Sequence, residues 1–118
     1  MTLQLIEETI ESINDYLPKL SAATEKISSD IQYNRDNWLD TLLQFLDGME
    51  WLIQAMQGIK NLNDQILKEW DHETLISLLI QMNQALEQND FVTMSDLLQH
   101  EMKPLLSTFQ TNLEKVSR

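Results

Sequence analysis

Residues 3–31 read LQLIEETIESINDYLPKLSAATEKISSDI, and the spacing of their apolar side chains decides the fold class. Leu3, Ile6, Ile10, Ile13, Leu17 and Leu20 follow one another in steps of three and four, and Ile27 and Ile31 resume the rhythm after Thr24. Such steps keep side chains on one side of an α-helix, whose turn takes about 3.6 residues. Pro18 interrupts the stretch. An internal proline removes a backbone hydrogen bond and crowds the preceding turn, which costs about 3 kcal/mol. The stripe nevertheless stays in phase across it. The reading is one helix over about 2–33, kinked near Pro18. A break there, with Asp15 capping a second helix, is the alternative.

The same rhythm returns three more times. A polar stretch, residues 32–37, holds good capping residues, and a second helix starts near Trp38 with the stripe Trp38, Leu42, Phe45, Met49, Leu52, Met56 and Ile59. Leu46 and Ile53 widen that face. Gly48 and Gly58 each weaken a helix by about 1 kcal/mol relative to alanine, so either allows a close helix approach or, at Gly58, marks the helix end. Asn61, Asn63 and Asp64 mark a turn, although the stripe continuing through Ile66 and Trp70 allows a short extra helix near 62–70. Asp71 is a natural cap for a third helix carrying Leu75, Leu78, Leu79, Met82, Ala85 and Leu86. Asp90 caps a fourth with the stripe Phe91, Met94, Leu98, Met102, Leu105, Phe109, Leu113 and Val116, kinked at Pro104. Short connections make neighbouring helices antiparallel. The expectation is an all-α, antiparallel four-helix bundle forming a single domain over residues 1–118.

Composition agrees. With only 2 Gly and 2 Pro the chain lacks the punctuation of a turn-rich β fold, and 42% hydrophobic residues suffice for a core. The 19 acidic residues outnumber 8 basic ones, a net charge of −11. That surface repels phosphate backbones and anionic lipid, so neither nucleic acid nor membrane is an expected partner. There is no Cys, which excludes disulfides and thiolate chemistry. The first residues carry no basic segment ahead of an apolar run, and no run approaches the ~20 apolar residues a membrane helix needs. A cytoplasmic placement is expected.

Chemical signatures are sparse. A di-iron bundle needs two Glu-x-x-His motifs and further inward glutamates; the chain offers one, Glu69 to His72, at a turn. Asp96 and His100, four apart, share a helix face. His100-Glu101-Met102-Lys103 resembles the His-x-x-Lys-Gly motif of histidine phosphotransfer domains, but Pro104 stands in place of the glycine and Gln99 in place of the small residue before the histidine. A metal-binding or phosphotransfer bundle is therefore the alternative function, with exposed or capping side chains as the plain reading. No nucleophile elbow, P-loop or dinucleotide fingerprint occurs. No catalytic residue and no cofactor are expected. Met49, Met56, Met82, Met94 and Met102 all fall on stripes, where core filling explains them.

Residues 73–106 have a hairpin cadence: Leu78-Leu79, Ala85-Leu86-Glu87, Asn89-Asp90-Phe91, Asp96-Leu97-Leu98, Glu101 and Pro104-Leu105-Leu106. It resembles a segment of small helical proteins of Gram-positive bacteria, and is similar to the helical hairpin of flagellar export chaperones. The resemblance implies an interaction role and carries over no catalytic residue.

The second helix is apolar around much of its circumference, with Trp38, Leu39, Leu42, Leu43, Phe45, Leu46, Trp51, Leu52 and Ile53. Such a helix is central or covered by a partner. The expected function is non-enzymatic protein binding, as an adaptor or chaperone-like module, to another protein or to a second copy of the chain. A structural or regulatory domain with no dedicated ligand is a further alternative. The candidate partner surface is Trp38, Leu39, Leu43, Trp51, Ile53 and Trp70.

Overall fold

The first helix, α1 (Thr2–Gln32), runs without a break. At about 1.5 Å per residue it spans nearly the full long dimension of the molecule, which measures 47 × 22 × 20 Å. The computed structural model describes residues 2–35, 37–67 and 70–116. Ile6, Ile10, Ile13, Leu17, Leu20, Thr24 and Ile27 are buried, as their spacing requires, whereas Leu3 stays exposed and Ile31 is half-buried. Pro18 lies on the exposed side, so the carbonyl left without an N–H donor is close to water rather than in the core. The helix closes through Asn34 in the left-handed region (φ 54°) and an Arg35 N–H donated to the Asp30 carbonyl at 2.8 Å.

Helix α2 (Trp38–Leu62) buries Leu42, Phe45, Gly48, Met49, Leu52, Met56 and Ile59. It continues four residues past Gly58, where an added Cβ would meet open space. Gly58 therefore marks neither a helix end nor a close contact. Gly48 does permit a close approach: α1 lies against it through Tyr16 and Leu20. The short helix allowed near 62–70 is not formed among the described residues. Residues 64–67 are turns, and Asn63 Oδ1 accepts the Gln65 N–H at 3.1 Å, a local bond that competes with helix. Leu67 and Trp70 fold inward instead.

Helix α3 (His72–Glu87) begins on Asp71 and α4 (Phe91–Asp96) on Asp90. Each carboxylate accepts an N–H three residues on, from Thr74 at 3.1 Å and Thr93 at 3.2 Å. The fourth rod is built of α4, a π-helical turn (Leu97–Met102) and α5 (Lys103–Val116). This wide turn lies just ahead of Pro104 and is closed by the Lys103 N–H bonding the Leu98 carbonyl five residues back. Its cause is in the spacing. The buried side chains Met94, Leu98, Met102 and Leu106 recur every four residues. On a 3.6-residue helix each such step drifts by about 40°, and one wider turn takes up the drift. Leu106 thus occupies the core position expected for Leu105, which is half-buried.

The four rods pack into one core. Backbone contacts place α1 against α2 on one side and against α4, the π-turn and α5 on the other, while α3 rests on α4 and the π-turn. Ser28 faces Ser95 and Glu25 pairs with Lys103, so α1 runs antiparallel to the fourth rod. The all-α bundle expected from the stripes is the observed fold. No helix among the described residues is long and apolar enough to cross a membrane.

Candidate protein-binding surface

The six residues expected to form one surface fall into four places. Trp70 is a correction: it is buried, 8% exposed, with its ring stacked 4.6 Å from that of Phe109 at 14°. A turn at 64–67, rather than the short helix the stripe also allowed, sets Trp70 against Phe109 of α5. Its Nε1 finds no acceptor. Trp38 is also engaged internally, half-buried with its ring 4.8 Å from Phe91 at 69°. This contact joins the start of α2 to the start of α4.

Trp51 is 40% exposed and stands edge-on to Tyr16, ring centres 5.3 Å apart at 87°. It therefore belongs to the α1 side of α2. Two depressions of about 420 and 440 Å³ flank it, lined by Ser12, Asp15 and Lys19 on one hand and by Leu5, Glu8 and Gln54 on the other.

Leu39, Leu43 and Ile53 lie on the opposite flank. With Leu46 and Glu50 they follow steps of four and three, a second row beside the buried stripe. Leu39 and Leu43 are 43% and 47% exposed, and Leu46 and Ile53 are half-buried. The backbones of α2 and α3 do not approach as those of α1 and α2 do. Between them lies a groove of about 490 Å³ whose walls are Leu46 and Ile53 on α2 and Ile76, Leu79 and Ile80 on α3, with Glu50 and Asn83 at its polar edge. Ile80 is 54% exposed.

Of the α3 wall, Leu79 belongs to the residues the sequence places on the helix's apolar face, whereas Ile76 and Ile80 do not. A signal was present: Glu73, Ile76, Ile80, Asn83 and Glu87 form their own three-four row off that face.

The electrostatics of this side are one-sided. Helices α2 and α3 carry the carboxylates Asp40, Asp47, Glu50, Glu73 and Glu87 against one lysine, Lys60, near the far end of α2. The ion pairs among the described residues lie elsewhere. Asp30 binds Lys26 at 2.9 Å and Arg35 at 3.2 Å, and Glu25 binds Lys103. The Lys26 hydrogen bond, with Arg35 adding to it, holds Asp30 below the usual carboxylate range although burial opposes this.

The residues of the metal and phosphotransfer readings are also placed. Glu69 lies outside the described residues, and His72 is half-buried beside a cleft formed with Lys60 and Asn61. Asp96 and His100 are both exposed at the π-turn. Lys103 is turned to Glu25 of α1. No group of three or more potential metal-ligating side chains occurs among the described residues.

Fold and surface define an all-helical bundle with an apolar groove open on one side. The chain belongs to the family described as a domain of unknown function, DUF8042, whose model matches residues 8–112. No curated protein and no solved structure matches it.

Proposed function

We propose that this chain is a non-enzymatic protein-binding bundle, an adaptor or chaperone-like module of the cytoplasm that acts by covering a segment of another protein. One observation carries the reading: the α2 row and the α3 row border a groove lined by the half-buried Leu46, Ile53, Ile76 and Leu79 and by Ile80, which is about half exposed, and the exposed Leu39 and Leu43 continue the α2 row beyond it. Leu46, Ile53 and Leu79 pack with one side on the core of Leu42, Phe45, Met49, Leu52, Leu75, Leu78 and Met82 and line the groove with the other. Scattered surface leucines need no explanation, but a contiguous apolar groove with a polar edge is the usual form of a binding site. The hairpin cadence of residues 73–106, which resembles that of flagellar export chaperones, supports the same role.

The test is affinity capture of the chain from its own cells at physiological salt, followed by reconstitution from purified components. The expected result is a complex of fixed stoichiometry that persists through gel filtration. If the tagged chain captures no protein and stays monomeric at high concentration, the reading is overturned.

A further inference from the structure

Building on that reading, we infer that the α2/α3 groove receives a basic amphipathic helix, its apolar face against Leu46, Ile53, Ile76 and Ile80 and its lysines or arginines beside Glu50, Glu73 and Glu87. Shape gives the first half of the argument. Both walls are helical rows spaced in threes and fours, and a helix laid between two such rows meets them with side chains of the same spacing. Adding it would turn the open side of the bundle into a closed helical contact like that between α1 and α2.

Charge gives the second half. The α3 row begins and ends with glutamate, the α2 row carries Glu50 at the groove edge, and none of the three forms an ion pair among the described residues. Glu50 at the groove edge, with Glu73 and Glu87 beyond the two ends of the α3 wall, selects a partner with cations on the flanks of its apolar stripe, and disfavours acidic helices by like-charge repulsion. The same reasoning counts against a second copy as the occupant, since it would bring a net charge of −11 against another −11.

The experiment uses the full chain and two synthetic helical peptides that share one leucine stripe, with lysine flanks in one and glutamate flanks in the other. Binding is followed by titration calorimetry and by amide shifts in isotope-labelled protein. The Leu/Lys peptide is expected to bind, to shift amides over 46–53 and 76–83, and to weaken as salt is raised. Two variants at exposed positions, Ile80→Lys and Glu50→Lys, should each lower affinity roughly tenfold or more. Leu5→Lys, on the Trp51 side of the molecule, should leave it unchanged. Their unaltered helical circular dichroism keeps a folding defect from mimicking the result.

Four outcomes overturn the inference. One is equal binding of the Leu/Glu peptide. Another is an affinity that responds to Leu5→Lys and not to Ile80→Lys. The third is a wild-type dimer that Ile80→Lys dissociates, which would make a second copy the occupant. The fourth is a natural partner whose reconstituted complex ignores Ile80→Lys, which leaves the protein-binding role standing and removes this groove as its site.

Discussion

The Tyr16 side chain lies directly over Gly48, so that a Cβ on residue 48 would overlap its hydroxyl and stand 3.1 Å from both Tyr16 Cζ and Leu20 Cδ2. The Tyr16 ring cannot simply swing aside without losing its edge-on contact with Trp51. Gly48→Ala gains about 1 kcal/mol of helix propensity but overpacks the α1/α2 contact, and a net loss of about 1–2 kcal/mol is expected. In a Tyr16→Phe background, which removes the hydroxyl, the loss should shrink. Gly58→Ala meets open space and should stabilise by up to about 1 kcal/mol. Urea unfolding of the single and double variants checks all three.

Ser28 and Ser95, on α1 and α4, share a hydrogen bond of 2.7 Å between their hydroxyls, and both are buried. Gln32 Nε2 donates to Ser95 Oγ at 3.2 Å and to Gln99 Oε1 at 3.2 Å, extending the cluster to the surface. Ser28 Oγ also reaches the Ser95 carbonyl and Gln99 Oε1, both at 3.3 Å, so it stays bonded when the Ser95 hydroxyl is removed, and Ser95→Ala should cost about 0.5–1.5 kcal/mol. Ser28→Ala with Ser95→Ala should cost less than the sum of the two. A double-mutant cycle in urea that came out additive would show that the pair is not coupled.

Stability should also depend on acid in a way that traces to two caps. Thr74 Oγ1 donates to Asp71 and Thr93 Oγ1 to Asp90, each at 2.6 Å. With the backbone N–H of the same threonine, these bonds hold both carboxyls below the ordinary aspartate range. A folded value below the unfolded one means that folding favours the ionised form. The contribution is therefore complete above the unfolded value, near pH 4, and is lost as pH falls through the lowered folded value. Asp71→Ala with Asp90→Ala should lower the urea midpoint at neutral pH, and the gap from wild type should close in acid. A gap that stayed constant down through the carboxylate range would contradict this assignment.

Trp70 offers a contrast between bulk and polarity. Its ring is packed on Phe109, yet its Nε1 is buried without an acceptor. Trp70→Ala should cost about 3–5 kcal/mol through the cavity it leaves. Trp70→Phe retains an aromatic ring on Phe109 and deletes the unpaired donor, so its cost should stay below about 1.5 kcal/mol. Thermal unfolding of the two variants distinguishes the roles.

Much of this fold is legible in the chain because helical periodicity is a local property. The stripes of α1 and α2 name buried residues from Ile6 to Ile27 and from Leu42 to Ile59, with Ile31 and Trp38 between them half-buried, and the Asp71 and Asp90 caps follow from residue type and position alone. Where local reading failed, a specific competitor prevailed. The local bond from Gln65 to Asn63 accompanies a turn where a short helix was allowed, and the four-residue repeat from Met94 to Leu106 called for a wider turn that exchanged Leu105 for Leu106. Of the expected surface, Leu39, Leu43 and Ile53 do share a flank, while Trp38 and Trp70 serve internal contacts.

What the chain determined by itself is therefore the helices, their apolar faces and their ends, since each depends on neighbours within a turn or two. Only the tertiary structure decided that Tyr16 lies over Gly48, that Ser28 meets Ser95, and that α2 and α3 stand apart with Glu50 at the edge of an apolar groove. An apolar row specifies that something must cover it and not which helix does. That choice depends on how all four rods share one core, and the row left over by it is the one that faces outward.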